Sequence, residues 1–162
     1  ARDARPDAFI IYKPHPDVES GNRQGAISDA EVLRHADIIL RDFPMGRLLF
    51  LVHEVHTLTS QTGFEALLRG VKVITYGGPF YAGWGLTKDK QSFPRRKARL
   101  ILDELVAGVL LLYPSYYDWQ TGNFCRAEDV CCRLLQPDGQ MRGRVWARLA
   151  TVARGFLRRM GR

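Results

Sequence analysis

The sequence predicts an α/β fold, a parallel sheet with flanking helices, and three observations point there. Four short apolar or β-branched runs, Phe9–Tyr12, Asp37–Leu40, Glu54–Leu58 and Val71–Thr75, recur along the first half of the chain. Helical patterns separate the last three, and strands that alternate with helices build parallel sheets through right-handed crossovers. At 162 residues the chain is long enough for one sizeable core.

Taken in order, Phe9–Tyr12 (FIIY) reads as a buried strand ended by Lys13, Pro14, His15 and Pro16, and the next eleven residues read as loop. Ser28 with Glu31 three residues on is a capping-box pattern, which predicts a helix to about His35 and then the strand Asp37–Leu40. Pro44 suits the first turn of a helix reaching Val52. Glu54–Leu58 is the third strand, 61–69 a helix closed by Gly70, and Val71–Thr75 the fourth strand. Leu100, Ile101, Leu105, Val109 and Leu112 recur at helical spacing before Pro114; a loop then runs to Phe124 and a helix covers 127–135. Domain organisation follows as a body over 1–136 and a tail over 137–162.

Charge divides the same way. Seven of the 24 Lys and Arg residues are arginines after Gln136, faced there by one acid, Asp138, so the tail carries most of the net charge of +7. With no basic face legible in the body, nucleic acid is not the expected partner. In the tail, Met141, Val145, Leu149, Val152, Phe156 and Met160 form an apolar stripe among arginines. Such a basic amphipathic helix suits an anionic membrane surface or a docking face on another part of the protein.

Cys125, Cys131 and Cys132 are an odd number without metal-ligand spacing, which favours a reducing compartment. The longest apolar run, Leu105–Tyr113, is too short for a bilayer span, and no signal peptide opens the chain. The expected placement is cytoplasmic, peripheral on the membrane at most. The start at Ala1 rather than Met reads as a fragment, with part of the active site elsewhere.

The chemistry concentrates at two strand exits, where ligands of parallel sheets bind. After the third strand, Thr57, Thr59, Ser60 and Thr62 set hydroxyls at a helix start, whose free N–H groups and dipole favour a phosphate. After the first, Lys13 and His15 stand among prolines that stiffen the backbone and direct the imidazole. His15 is either a phosphate donor or a solvated loop histidine, and pairing with the Thr-Ser loop favours the donor.

Gln61 and Glu65 share a helix face, and Glu65 suits ribose hydroxyls or simply complements the helix dipole. The run Tyr76–Gly85 joins four glycines to four aromatics, so Gly77, Phe80 and Tyr81 either approach a ligand or pack the loop on itself. His53 and His56 read as core or edge residues. No Asp-x-Asp, P-loop, dinucleotide fingerprint or nucleophile elbow is present, which weighs against metal-chelated sugar-nucleotide chemistry, ATPases, dehydrogenases and hydrolases.

Four blocks, YKPHPDV (12–18), EVHTLTSQTGFEALLRG (54–70), YGGPFYAGWGLT (76–87) and LDELVAGVLLLYPSYYD (102–118), resemble capsule polysaccharide biosynthesis and export proteins of the KpsC/LipA type. The resemblance implies a bacterial β-Kdo glycosyltransferase that uses CMP-Kdo to build the Kdo linker of a lipid-anchored capsule. It also implies a GT-B-like fold, with this chain as the Rossmann-like, donor-binding C-terminal half plus terminal helices. His15, Thr59 and Ser60 would hold the CMP phosphate, with Lys13, Gln61, Glu65, Gly77, Phe80 and Tyr81 as further donor-binding candidates. No metal or other cofactor is implied, the acceptor is lipid-linked, and the catalytic group is expected in an N-terminal domain outside this chain. Two alternatives are another cytidine-nucleotide transferase of the teichoic-acid type and a non-catalytic docking module of the capsule machinery.

Overall fold

A computed structural model describes residues 1–22 and 24–136. The basic tail expected over 137–162 lies outside the described residues. The chain divides after Leu102 into two compact units.

In the first unit the parallel strands fall into two ladders. Strand β1 (Ile11–Tyr12) pairs with β2 (Ile38–Ile39), and β3 (Glu54–Thr57) pairs with β4 (Lys72–Thr75), which pairs with β5 (Lys88–Asp89); every pairing is parallel. The sequence marked the first four strands but not β5, which is two charged residues held by the Lys90 N–H to the Thr75 carbonyl at 2.9 Å. Short helices stand between: α1 (Pro16–Glu19), α2 (Asp29–Leu33), α3 (Met45–Leu48) and α4 (Thr62–Leu67).

Ser28 caps α2 as its spacing predicts, its Oγ accepting from the Glu31 N–H at 3.3 Å. Helix α1 lies inside the stretch expected to be loop: His15 caps it and Pro16 supplies the preset φ of a first turn. Helix α4 is shorter than the predicted 61–69 because its last turn tightens, and Gly70 at φ 71° then ends it.

The core sits where α4 covers β4: Phe64, Ala66 and Leu67 bury against Val73, Ile74 and Thr75, with Tyr81 and Ala82 closing over them. Leu48 and Leu49 of the α3 region and Val32 of α2 are also buried. The first strand departs from its expected burial. Ile11 and Tyr12 are only half-buried, and Phe9 is 73% exposed, because one edge of β1 borders an open cavity rather than a neighbouring strand.

The second unit opens with α5 (Leu102–Val106), which widens into a π-turn over Ala107–Leu112, the Tyr113 N–H reaching the Gly108 carbonyl at 2.9 Å. The segment expected as loop after Pro114 holds an antiparallel hairpin, β6 (Tyr116–Asp118) with β7 (Asn123–Cys125). Helix α6 (Ala127–Leu135) follows as predicted, and its Arg133 reaches the buried Asp118 carboxylate at 3.3 Å. Cys125 is half-buried, Cys131 and Cys132 are exposed, and all three are free thiols. Among the described residues no helix is long and apolar enough to cross a membrane.

Candidate functional site

The first exit loop follows β1. Pro14 is buried and anchors the turn, Lys13 donates from its ammonium to the Arg41 carbonyl beyond β2, and His15 stands exposed at the head of α1. The Asp17 N–H donates to His15 Nδ1 at 3.1 Å. A nitrogen that accepts carries no hydrogen, so the neutral ring holds its proton on Nε2 and presents an N–H donor outward. Lys13 keeps two of its three hydrogens for other acceptors.

The second exit loop follows β3 and differs from its sequence reading in one respect. The expected cradle of free N–H groups is partly closed by the loop's own hydroxyls. The Ser60 N–H donates to Thr57 Oγ1 at 3.2 Å, the Thr62 N–H to Ser60 Oγ at 3.2 Å, and the Gly63 N–H to the Ser60 carbonyl at 3.2 Å. Ser60 Oγ–H in turn donates to Thr62 Oγ1 at 3.1 Å. Ser and Thr compete locally for backbone donors in this way. The loop therefore offers an anion mainly side-chain groups, with Thr59 and Gln61 exposed at its crest.

Lys13, Thr57, Ser60 and Thr62 line one end of a cavity of about 1090 Å³ in the first unit. Its opposite end is lined by Arg2, Arg5, Glu54 and Lys72. Of the donor-binding candidates named from the sequence, the structure brings Lys13 and Ser60 to this cavity, beside the loop hydroxyls of Thr57 and Thr62. His15, Thr59, Gln61, Glu65, Gly77, Phe80 and Tyr81 do not line it. Glu65 is half-buried on α4.

The glycine-aromatic loop is packed largely on itself. Tyr81 is 0% exposed and its hydroxyl donates to the Ser60 carbonyl at 2.5 Å; burial pushes its pKa up to about 12, although the Thr57 hydroxyl pulls the other way. Tyr81 thus reaches any ligand only by setting the Ser60 loop. Phe80 stacks edge-on against Phe64 at 5.2 Å and Tyr81 at 5.1 Å and remains 42% exposed, which leaves ring surface for a partner. Gly77 lies so close to the other exit loop that a Cβ there would meet the Leu58 carbonyl oxygen at 2.9 Å.

Two organising residues escaped the sequence reading. Asp89 accepts from the Thr75 hydroxyl at 2.7 Å, the Thr87 hydroxyl at 2.6 Å and the Gly83 N–H at 2.8 Å, tying the loop to β4 and β5. Arg96 donates to the Pro79 and Ala82 carbonyls at 2.7 and 2.6 Å and lies over the Phe93 and Trp84 rings. An acid and a base flanking a loop with few other polar residues is the signal that marks them.

His56, read from sequence as core or edge, joins a polar set on one face of β3 and β4. Its Nε2 lies 2.7 Å from Glu54 Oε1 and its Nδ1 2.9 Å from the Tyr76 hydroxyl, while Arg5 pairs with Glu54 at 2.9 Å. Burial raises the Glu54 pKa, but hydrogen bonds from His56 and Arg5 outweigh it and leave the carboxyl below its ordinary value. A depressed folded pKa adds stability above the unfolded value, and that stability is lost as pH falls through the folded one. Denaturant titrations should therefore show the wild-type chain losing stability below about pH 4.3, with a flatter profile for Glu54→Gln; equal slopes would show that this network contributes nothing. Among the described residues no group of three or more His, Cys, Asp or Glu side chains is arranged to hold a metal ion.

The profile of the capsule polysaccharide biosynthesis protein family matches residues 1–116. The capsule polysaccharide modification protein LipA of Neisseria meningitidis serogroup A is 54% identical over 135 residues, which are 83% of this chain and 19% of that protein. The lipopolysaccharide-processing protein LpsZ of Rhizobium meliloti is 43% identical over 135 residues, 83% of this chain and 31% of that protein. Two solved structures of Thermosulfurimonas dismutans KpsC are also similar. Its β Kdo 2,7 transferase superposes with a TM-score of 0.70 at 46% identity, covering 79% of this chain and 41% of that one. Its β Kdo 2,4 transferase gives a TM-score of 0.71 at 36% identity, covering 84% and 42%. The chain thus spans about a fifth of the length of the meningococcal relatives it matches.

Proposed function

This chain belongs to the capsule polysaccharide biosynthesis protein family, and from that premise we propose that it is the donor-nucleotide half of a β-Kdo glycosyltransferase module. The observation that carries the proposal is the likeness to two KpsC Kdo transferases, at 46% and 36% identity with TM-scores of 0.70 and 0.71. The donor on this reading is CMP-Kdo, the product a Kdo linker of a lipid-anchored capsular polysaccharide, and the acceptor lipid-linked.

The chemistry proposed follows from the leaving group. When the bond between the sugar and CMP breaks, negative charge grows on the CMP phosphate, and donors aimed there lower the barrier. His15 Nε2–H, the Lys13 ammonium and the Thr59 hydroxyl are the donors available at the two exits, and the Ser60 hydroxyl joins them by turning its hydrogen from Thr62 Oγ1 to the phosphate. None depends on a bound cofactor. Glu65 is assigned to the ribose hydroxyls and the open face of Phe80 to the base. Tyr81, Gly77, Asp89 and Arg96 hold these loops in register.

Titration with CMP tests the assignment. The folded chain should bind CMP at millimolar concentration, with resonance shifts at His15 and Ser60 and a weaker response to AMP. Absence of binding in that range would leave the docking-module reading in its place, and equal response to AMP would remove the cytidine donor. The family's catalytic group for the sugar carbon is assigned to a part of the protein outside this chain, so CMP binding without transfer is the expected behaviour.

A further inference from the structure

The cavity extends well past the exit loops, down between β1 and β3, and its walls have the character of unpaired sheet edges. In a parallel ladder a residue turns both its backbone groups to one neighbour, and the next residue turns its own to the other side. The Ile10 and Tyr12 carbonyls accept from β2, through the Asp37, Ile38 and Leu40 N–H groups. Ile11 therefore presents its N–H and carbonyl to the cavity. Across it, the Thr57 carbonyl accepts from the Tyr76 N–H on the β4 side, so His56 faces the cavity in the same way.

The two walls also run in the same direction. Arg2 pairs with Asp37 at 2.7 Å, just before β2, and donates to the Ala8 carbonyl ahead of β1; Arg5 pairs with Glu54 at the start of β3. The amino ends of all three strands thus gather around residues 2–8. Both ladders grow away from the cavity, β1 to β2 through α2 and β3 to β4 through α4. Strand order that reverses about one point is the doubly wound pattern, in which the central position belongs to the strand that comes first in the chain. Here that position is open.

Its size fits a strand. A residue in a packed strand occupies about 160 Å³, from a rise of about 3.3 Å, a strand spacing of about 4.8 Å and a layer spacing of about 10 Å. A cavity of about 1090 Å³ therefore has room for roughly seven residues. Beside it Phe9 is 73% and Leu51 68% exposed, apolar surface of the kind an added strand and its crossover helix would cover.

We propose that the slot between β1 and β3 takes one further parallel strand, supplied by the stretch of the parent polypeptide just upstream of residue 1. The relatives are several times longer than this chain, which supplies the length such a stretch needs. A strand running toward the exit loops must return through a crossover of a dozen or more residues to the amino ends. The short 3-10 turn Arg2–Ala4 lies where that crossover would arrive. The insert joins the two ladders into one sheet ordered β2, β1, insert, β3, β4, β5. Its carboxyl end emerges beside Lys13 and Ser60.

Amide hydrogen exchange tests this without reference to any ligand. In the parent protein, the Ile11 and His56 amides should exchange about 100-fold more slowly than in the 162-residue chain. Should the chain fail to fold alone, Val55, whose amide faces β4, is the reference within the parent. Ile11 and His56 protected to within about tenfold of Val55 support the insert. Exchange as fast as that of the exposed Thr59 loop would overturn it. Protection that rises with protein concentration would place a second copy of the chain in the slot and overturn the assignment to the upstream segment.

Discussion

Replacing His15 with alanine in the parent protein should lower CMP release from CMP-Kdo by on the order of 100-fold or more, the usual effect of deleting one aimed donor. The reason lies in the cap of α1. The Asp17 N–H occupies Nδ1, so the ring's one proton in the neutral form points away from the backbone. Asp17 beside it is only an acceptor, and Lys13, although it keeps two hydrogens, is drawn toward the Arg41 carbonyl, so neither takes the place of the ring's aimed N–H. Alanine also removes the cap, so a folding control is needed. His15→Asp keeps a capping oxygen but carries no N–H donor, and so separates the two effects: it should restore stability without restoring release. Near-normal release by His15→Ala would remove the residue from the site.

The largest effect on folding should come from a single methyl group at Gly63. A Cβ at that position would lie 2.1 Å from the Tyr81 hydroxyl oxygen and 2.5 Å from its Cζ. Tyr81 has nowhere to retreat, being fully buried and bonded to the Ser60 carbonyl. Gly63→Ala should cost about 2–4 kcal/mol, read as a shift of the denaturation midpoint. Moving Tyr81 also moves the Ser60 carbonyl, so CMP affinity should fall in whatever fraction remains folded. Tyr81→Phe removes the nearest clashing atom, and the double variant should lose less than the two single losses added together. Additive losses would mean that Gly63 is sensitive for some reason other than Tyr81.

Much of the fold was legible because the signals are local. The apolar runs at 9–12, 37–40, 54–58 and 71–75 each contain an observed strand, and Ser28 with Glu31 marked a helix start that the structure confirms in its cap. The misses were also local in kind. Lys88–Asp89 is two charged residues and the hairpin strands Tyr116–Asp118 and Asn123–Cys125 are three residues each, so periodicity has too few residues to register them. The helix predicted from Leu100 to Leu112 became α5 and a π-turn, a distinction of hydrogen-bond register that spacing does not carry.

The site was legible as residue types at strand exits, and much less as geometry. Lys13 and Ser60 come to one cavity, whereas Tyr81 serves beneath the loop rather than on it. Hydroxyls read as donors to a phosphate partly serve the loop's own N–H groups. Asp89 and Arg96, which hold the glycine-aromatic loop, have no motif of their own, since their partners are backbone groups brought near by folding.

By itself the sequence determined the class of fold, the family and the two loops that carry polar chemistry, because strand runs, caps and short motifs depend on neighbours a few residues apart. Only the tertiary structure decided which of those polar groups remain available and which are consumed internally. It alone placed an open strand position between Ile11 and His56. Both follow from contacts between residues distant in sequence, where burial and hydrogen-bond satisfaction, not local propensity, set the outcome.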